Sequence, residues 1–259
     1  MKMIKFLILL IFTILVNSQN FVYGQTEPIL ITISDDRENV IFDGKWSSGI
    51  EWKKSSLNQF NFDDDTIIIL RTAHQDDYIY ALVDVVSDIH LDHASDKAVL
   101  CFDANNDKSK IPGSDDYCFG VSLGNKNGFV LQGDSKIKAT NNFKKITNPP
   151  DFIAVGSGSD ENDRYSTIPH SSYEFKIPIN ILGRSDNYGF YLTVYDGYSD
   201  KFYSWPDFNP EKPFKIPSPN KWGDIISPDK TIPEFNLPAL ALVPAILFVI
   251  YMSKVRKTN

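Results

Sequence analysis

The sequence predicts an all-β protein, a jelly-roll β-sandwich of about ten strands. Three observations carry this. Short runs rich in β-branched and aromatic residues recur between Ile29 and Ile226, each bounded by Gly, Pro, Asn or Asp. No helical period of useful length appears between the two termini. Three such runs follow one another in the central stretch, at Tyr78–Val85, Lys97–Asp103 and Tyr117–Leu123, divided by the acidic loops Ser87–Asp96 and Asp103–Asp116.

Residues 1–24 begin with Lys2 and Lys5, continue as the apolar run Phe6–Val16 and end in Val22-Tyr23-Gly24. This pattern predicts a secretory signal peptide cut before Gln25, with a retained signal anchor as the alternative. Ile29–Ile33 is a first strand, and Asp43-Gly44 a tight turn. Polar Asn58–Asp65 reads as a loop. Thr66–Ala73 and Tyr78–Val85 read as a hairpin closed by the four residues His74-Gln75-Asp76-Asp77. Asn127-Gly128 starts the strand Phe129–Gln132, Asp134–Pro150 reads as a loop, and Phe152–Val155 is short and extended. Ser172–Ile179 sets Tyr173, Phe175 and Ile177 against Glu174 and Lys176, which predicts one wet face. Gly189–Tyr198 and Lys201–Trp205 form a late hairpin. Pro206–Pro219 carries five prolines, which confine it to a loop, and Lys221–Ile226 is the last strand. The sandwich domain is assigned to residues 25–230.

Residues 231–259 hold the apolar run Leu237–Met252, followed by Lys254, Arg256 and Lys257. The run is short of the ~20 residues of a spanning helix. Pro233-Glu234-Phe235, the apolar run and the basic tail together resemble the archaeal sorting signal read by archaeosortases. That resemblance implies cleavage and lipid anchoring; the alternative is a plain transmembrane helix with its basic end inside. Either way the expected location is extracellular, at the cell surface and membrane-anchored.

All 33 acidic residues, but only 21 of the 26 basic ones, lie between residues 25 and 235, a net charge of −12. So acidic a domain without a basic stripe is not a nucleic-acid binder. No nucleophile motif, phosphate loop or matched acid–base pair occurs, so a non-catalytic module is expected rather than an enzyme.

If Lys97–Asp103 and Tyr117–Leu123 pair antiparallel with Cys101 opposite Cys118, then Phe102 faces Tyr117 and Asp103 faces Asp116. The two cysteines are the only ones in the chain, and an oxidising compartment favours a disulfide between them over two buried thiols. Asp103 and Asp116 repel across a ladder unless a cation joins them. Asn105, Asp107 and Asp115 add hard oxygen ligands suited to Ca²⁺. Lys108 and Ser114 depart from an EF-hand at the positions that need Gly and Glu. A solvated acidic turn is the alternative.

Further features occur in a fixed order: Asp43-Gly44-x-Trp46, Glu51-Trp52, YIYALVDV at 78–85, an Asp96-led run ending FDANND, DDYCFGV at 115–121, and PSPNKWGDI at 217–225. From Ile41 to Ile226 they resemble the family 9 carbohydrate-binding modules and the wider DOMON-like sandwiches. The resemblance implies a jelly roll, often with bound calcium, that stacks glycans on aromatic rings and assists glycoside hydrolases without catalysing. Two positions depart: His93 stands where sugar-binding members carry an aromatic, and Val99 where they carry Glu. On this reading Trp52, Tyr198, Tyr203 and Trp205 are candidate platforms for a polysaccharide or envelope glycan, with His93, Asp196 and Asp200 as a polar edge. Trp46 and Trp222 read as core. The alternatives are a structural or adhesive envelope protein without a sugar site, and a haem-binding DOMON-like domain using His74, His90, His93 or His170. His90 and His93, with Asp88, Asp92 and Asp96 beside them, would also accept zinc.

Overall fold

A computed structural model describes residues 27–34, 37–137, 142–208 and 215–227. The expected signal peptide, residues 1–24, and the expected C-terminal anchor, residues 231–259, lie outside the described residues. No helix among the described residues is long and apolar enough to cross a membrane.

Among the described residues, fourteen strands form two mixed sheets. They are β1 (Ile29–Leu30), β2 (Thr32–Ile33), β3 (Ser56–Asn61), β4 (Ile67–Gln75), β5 (Tyr78–Val85), β6 (Lys97–Asp103), β7 (Asp116–Ser122), β8 (Phe129–Gly133), β9 (Phe143–Ile146), β10 (Ile153–Gly158), β11 (Ser171–Pro178), β12 (Asn187–Asp196), β13 (Lys201–Trp205) and β14 (Gly223–Ile226). One sheet runs β1-β14-β12-β6-β7-β8-β9, with β13 also on β12. The other runs β10-β11-β5-β4-β2, with β3 also on β4. The main core lies between them: Leu70, Val83 and Phe175 of one sheet meet Leu100, Phe102, Phe119 and Phe190 of the other.

Several elements differ from the expectation, each for a physical reason. The first strand is two: Ile31 carries the chain from one sheet to the other, so β1 pairs parallel with β14 and β2 parallel with β4. Asn58–Asp65 is not a loop throughout, because β3 takes Ser56–Asn61 as an edge strand on β4, with half-buried and exposed residues alternating. The β4–β5 turn needs only Asp76-Asp77, because Asp76 adopts φ 52° and lets Gln75 pair with Tyr78. Strand β9 lies inside the expected loop Asp134–Pro150 and closes the sheet edge on β8. Strand β11 has no wet face. Glu174 is fully buried, because residues 40–52 cover the outer side of its sheet, with Val40, Trp46 and Trp52 packed on Tyr80 and Leu82. The opposite outer face is also covered: Ile216 and Trp222 pack on Val99, Cys101, Cys118, Phe143 and Tyr191.

Candidate functional site

Strand β13 shares one edge of β12 with β14, opposite β6, and β3 shares one edge of β4 with β2, opposite β5. Between these edge strands lies a cleft of ≈ 930 Å³. Its walls include Phe60, Phe62, Phe202, Tyr203 and Trp205, and its polar lining Gln59, Asn61, Asp63, Asp64, Asp200, Lys201 and Asp207. Alternation along β3 turns Phe60 and Phe62 inward, half-buried, and leaves Gln59 and Asn61 exposed. The Gln59 side-chain amide donates to Asn61 Oδ1 at 2.9 Å, which orients both. Asp64 Oδ2 accepts from Lys201 Nζ at 2.7 Å and from Tyr203 Oη at 2.9 Å, tying the two walls together. The Lys201 hydrogen bond is the main reason the Asp64 carboxyl sits far below its ordinary range. Aromatic faces beside paired amides and charges offer both the stacking surface and the hydrogen-bonding groups that a polyhydroxylated ligand needs.

The five sequence candidates do not converge. Tyr203 and Trp205 line the cleft, but both belong to the core, at 6 % and 9 % exposure. Trp205 packs its ring on Phe60 and Phe190, so it is a wall rather than an open platform. Trp52 is no platform at all: it is fully buried on the outer side of the other sheet, and its Nε1 donates to Glu174 Oε1 at 2.9 Å. Tyr198 is exposed but lines no part of the cleft; its ring stacks on His90 at 3.7 Å. His93 is exposed against Gly124, and it too lines no part of the cleft. The residues missed were Gln59, Phe60, Asn61, Phe62 and Asp64. Their signal was the alternation of Phe60 and Phe62 with polar residues, in a run read as a loop because it is polar.

A second constellation sits where β6 ends and β7 begins. Cys101 stands opposite Cys118, joined in a disulfide, with Asp103 opposite Asp116 in the same register. One carboxylate oxygen each from Asp103, Asp107 and Asp115 lies within 4.8 Å of the others. Asp103 is fully buried and accepts the backbone N–H groups of Asp107 and Lys108. Asp116 is fully buried; its Oδ2 accepts from Gly113 N–H at 2.6 Å, while Oδ1 has no hydrogen-bond partner. Burial, opposed by that N–H and reinforced by the charges of Asp103, Asp115 and Asp107, raises Asp116 to about 7. Asn105 is exposed, whereas Asn106, at φ 50°, holds a buried Oδ1 without a partner close to Asp103. Asn106 therefore fits the oxygen cluster better than the Asn105 expected from the alternating spacing. The donors are all hard oxygens at a spacing a Ca²⁺ shell can bridge.

A carbohydrate-binding module of family 9 from Caldicellulosiruptor kristjanssonii, solved in complex with cellotriose, overlays on this chain with a TM-score of 0.48 and 15% identity, covering 80% of this chain and 98% of that one. No protein-family model matches the chain, and no curated protein matches it. With likeness at that level, the reading of the site rests on this chain's own side chains.

Two remaining arrangements concern chemistry. Ser159 Oγ lies 2.9 Å from His170 Nδ1, and His170 Nε2 lies 2.7 Å from Asp84 Oδ1. This Ser–His–Asp set is buried, at 5 % exposure for Ser159 and none for the other two, so a substrate does not reach the hydroxyl. The same contacts occupy both ring nitrogens of His170, and His74 Nε2 engages Ser227 Oγ at 2.9 Å. An axial haem ligand needs a ring nitrogen released from such bonds.

Proposed function

We propose that this chain is a secreted, surface-anchored, non-catalytic β-sandwich that binds carbohydrate in the cleft between β3 and β13 and is stabilised by calcium at the Asp103 loop. The observation that carries the proposal is the cleft itself, with half-buried aromatic rings in its walls and the oriented Gln59–Asn61 pair on its rim. Stacking supplies affinity, and the amides read hydroxyl positions. The buried Ser–His–Asp set supports a binding rather than a hydrolytic role. The order of motifs from Asp43 to Ile225 supports the same reading through its resemblance to family 9 modules.

The test uses the full-length chain on a glycan array and in affinity electrophoresis through soluble polysaccharides. The double substitution Gln59→Ala, Asn61→Ala removes the rim hydrogen bonds and leaves the core intact. Loss of two such contacts weakens binding by roughly ten- to a hundredfold, with little change in melting temperature because both residues are exposed. Wild-type binding in the double variant, or no retained glycan for the wild type, would refute the assignment.

A further inference from the structure

The charge of the cleft between β3 and β13 says what kind of ligand it admits. Across it Phe60 meets Trp205, Phe62 meets Tyr203 and Asp64 meets Lys201, so its two walls run antiparallel beside each other. The charged residues lining it are Asp63, Asp64, Asp200, Asp207 and Lys201. Four carboxylates against one ammonium leave a surplus of three negative charges. That ammonium is already engaged, because Lys201 Nζ donates to Asp64 Oδ2 at 2.7 Å. Asp200 Oδ1 accepts from Tyr195 Oη at 2.9 Å, a bond that leaves its charge in place. Asp63 and Asp207 are exposed and form no ion pair among the described residues. Like charges along a cleft with low-dielectric walls focus the field into it and concentrate cations there.

The spacing of these carboxylates selects the form of the cation. Among the described residues, the carboxylate sets whose oxygens gather within 4.8 Å of one another include none of these four. A single metal ion therefore finds no nest in the cleft. Asp63 and Asp200 lie at the Asp64–Lys201 end, and Asp207 lies past Trp205 at the other end. The β13 wall from Lys201 to Trp205 spans roughly 13 Å at ~3.3 Å per residue. Negative charges at both ends of such a length match positive charges repeated along a chain. The aromatic walls between them act in the same sense, because ring faces are negative and attract an ammonium.

We propose that the ligand of this cleft is a glycan carrying free, protonated amino groups, rather than a neutral or a uronic-acid polymer. The proposal rests on the carbohydrate reading of the cleft and narrows it. Ammonium groups pair with Asp63 and Asp200 at one end and with Asp207 at the other. The sugar rings meet the aromatic walls, and the Gln59–Asn61 amides take hydroxyls. Uronate carboxylates meet the same surplus as repulsion, which rejects them.

Three β-1,4-linked hexamers test it, because they differ only at carbon 2: glucosamine carries an ammonium there, N-acetylglucosamine an acetamide and glucose a hydroxyl. Calorimetric titration of the full-length chain at about pH 5.5 keeps the sugar amine protonated and exposed carboxylates ionised. The glucosamine hexamer is expected to bind at least about fivefold more tightly than the other two in roughly 0.05 M salt, and to lose most of that preference in about 0.5 M salt, where exposed charges are screened. The double substitution Asp63→Asn, Asp207→Asn removes two exposed charges. It is expected to at least halve the glucosamine-to-glucose affinity ratio, with the melting temperature unchanged. Glucose and glucosamine hexamers bound equally overturn the ammonium assignment and leave the carbohydrate reading standing. A preference untouched by the double substitution overturns it as well. So does hexalysine bound as tightly as the glucosamine hexamer, since the cleft would then take any chain of ammonium groups. If no hexamer binds, the assignment also falls, and the glycan array then decides whether the wider carbohydrate reading survives.

Discussion

Glu174 illustrates what a single residue does under cover. Its Oε1 accepts from Trp52 and its Oε2 from Gly44 N–H, both at 2.9 Å. Burial outweighs these two bonds and, with the charges of Glu51 and Asp43, raises its carboxyl to about 8. The folded state therefore keeps a proton that the unfolded chain, with an ordinary value of 4.5, has already released. Between these two values the folded state binds more protons, so stability falls as pH rises, by at most ~1.4 kcal/mol per pH unit for one proton. Above about 8 both states are ionised and the loss stops growing. Glu174→Gln cannot titrate. Denaturant melts from pH 5 to 8 should show the wild type losing stability relative to this variant as pH increases, whatever the offset between them. A constant difference across that range would mean that Glu174 is ionised throughout. The sequence hid this residue because its alternation with Tyr173 and Phe175 reads as a wet face, and the segment that covers it has no period of its own.

The central strands were legible because they are continuous apolar runs: β4, β5, β6 and β7 lie at or within a residue or two of their expected bounds. The edge strands β3 and β9 were not, since SLNQFN and FKKI have the polarity of loops and take strand form only when a neighbour supplies the ladder. The cleft was lost with β3, which forms one of its walls. Register was easier than existence. Placing the two cysteines, Cys101 and Cys118, opposite each other gives a register, and β6 and β7 run in it. The disulfide closes a loop with a sequence separation of 17, which contains the acidic turn. A loop of that size contributes about 3 kcal/mol in the chain-entropy description. The double substitution Cys101→Ser, Cys118→Ser should lower unfolding free energy by that amount in denaturant melts. A loss under ~1 kcal/mol would show that the ladder and its Trp222 cover suffice to hold the two strands.

At the scale of the molecule, the acidic surplus is concentrated rather than spread evenly. The Asp103 loop could be read from the sequence because its carboxylates are neighbours along the chain. The surplus of the cleft could not, because Asp63 and Asp64 lie more than a hundred residues before Asp200 and Asp207 and join them only when β3 and β13 lie side by side. Opposed buried carboxylates such as Asp103 and Asp116 lower stability unless protonated or bridged. A cation that binds only the folded state adds about 2.7 kcal/mol at a hundredfold excess over its dissociation constant. For a domain of this size each kcal/mol moves the melting temperature by ~2–4 °C. Chelation of the full-length chain should thus lower the melting temperature by roughly 5–10 °C at that occupancy. Ca²⁺ should restore it more effectively than Mg²⁺, whose strict octahedral shell fits carboxylates of mixed exposure poorly. Asp103→Ala should remove the share of the shift belonging to its loop, whereas Asp63→Ala, on the rim of the cleft, should leave the whole shift in place. A melting curve indifferent to both chelator and Ca²⁺ would leave the buried Asp103–Asp116 pair to be relieved by protonation rather than by a cation, and the surplus charge would then act only through solubility and repulsion.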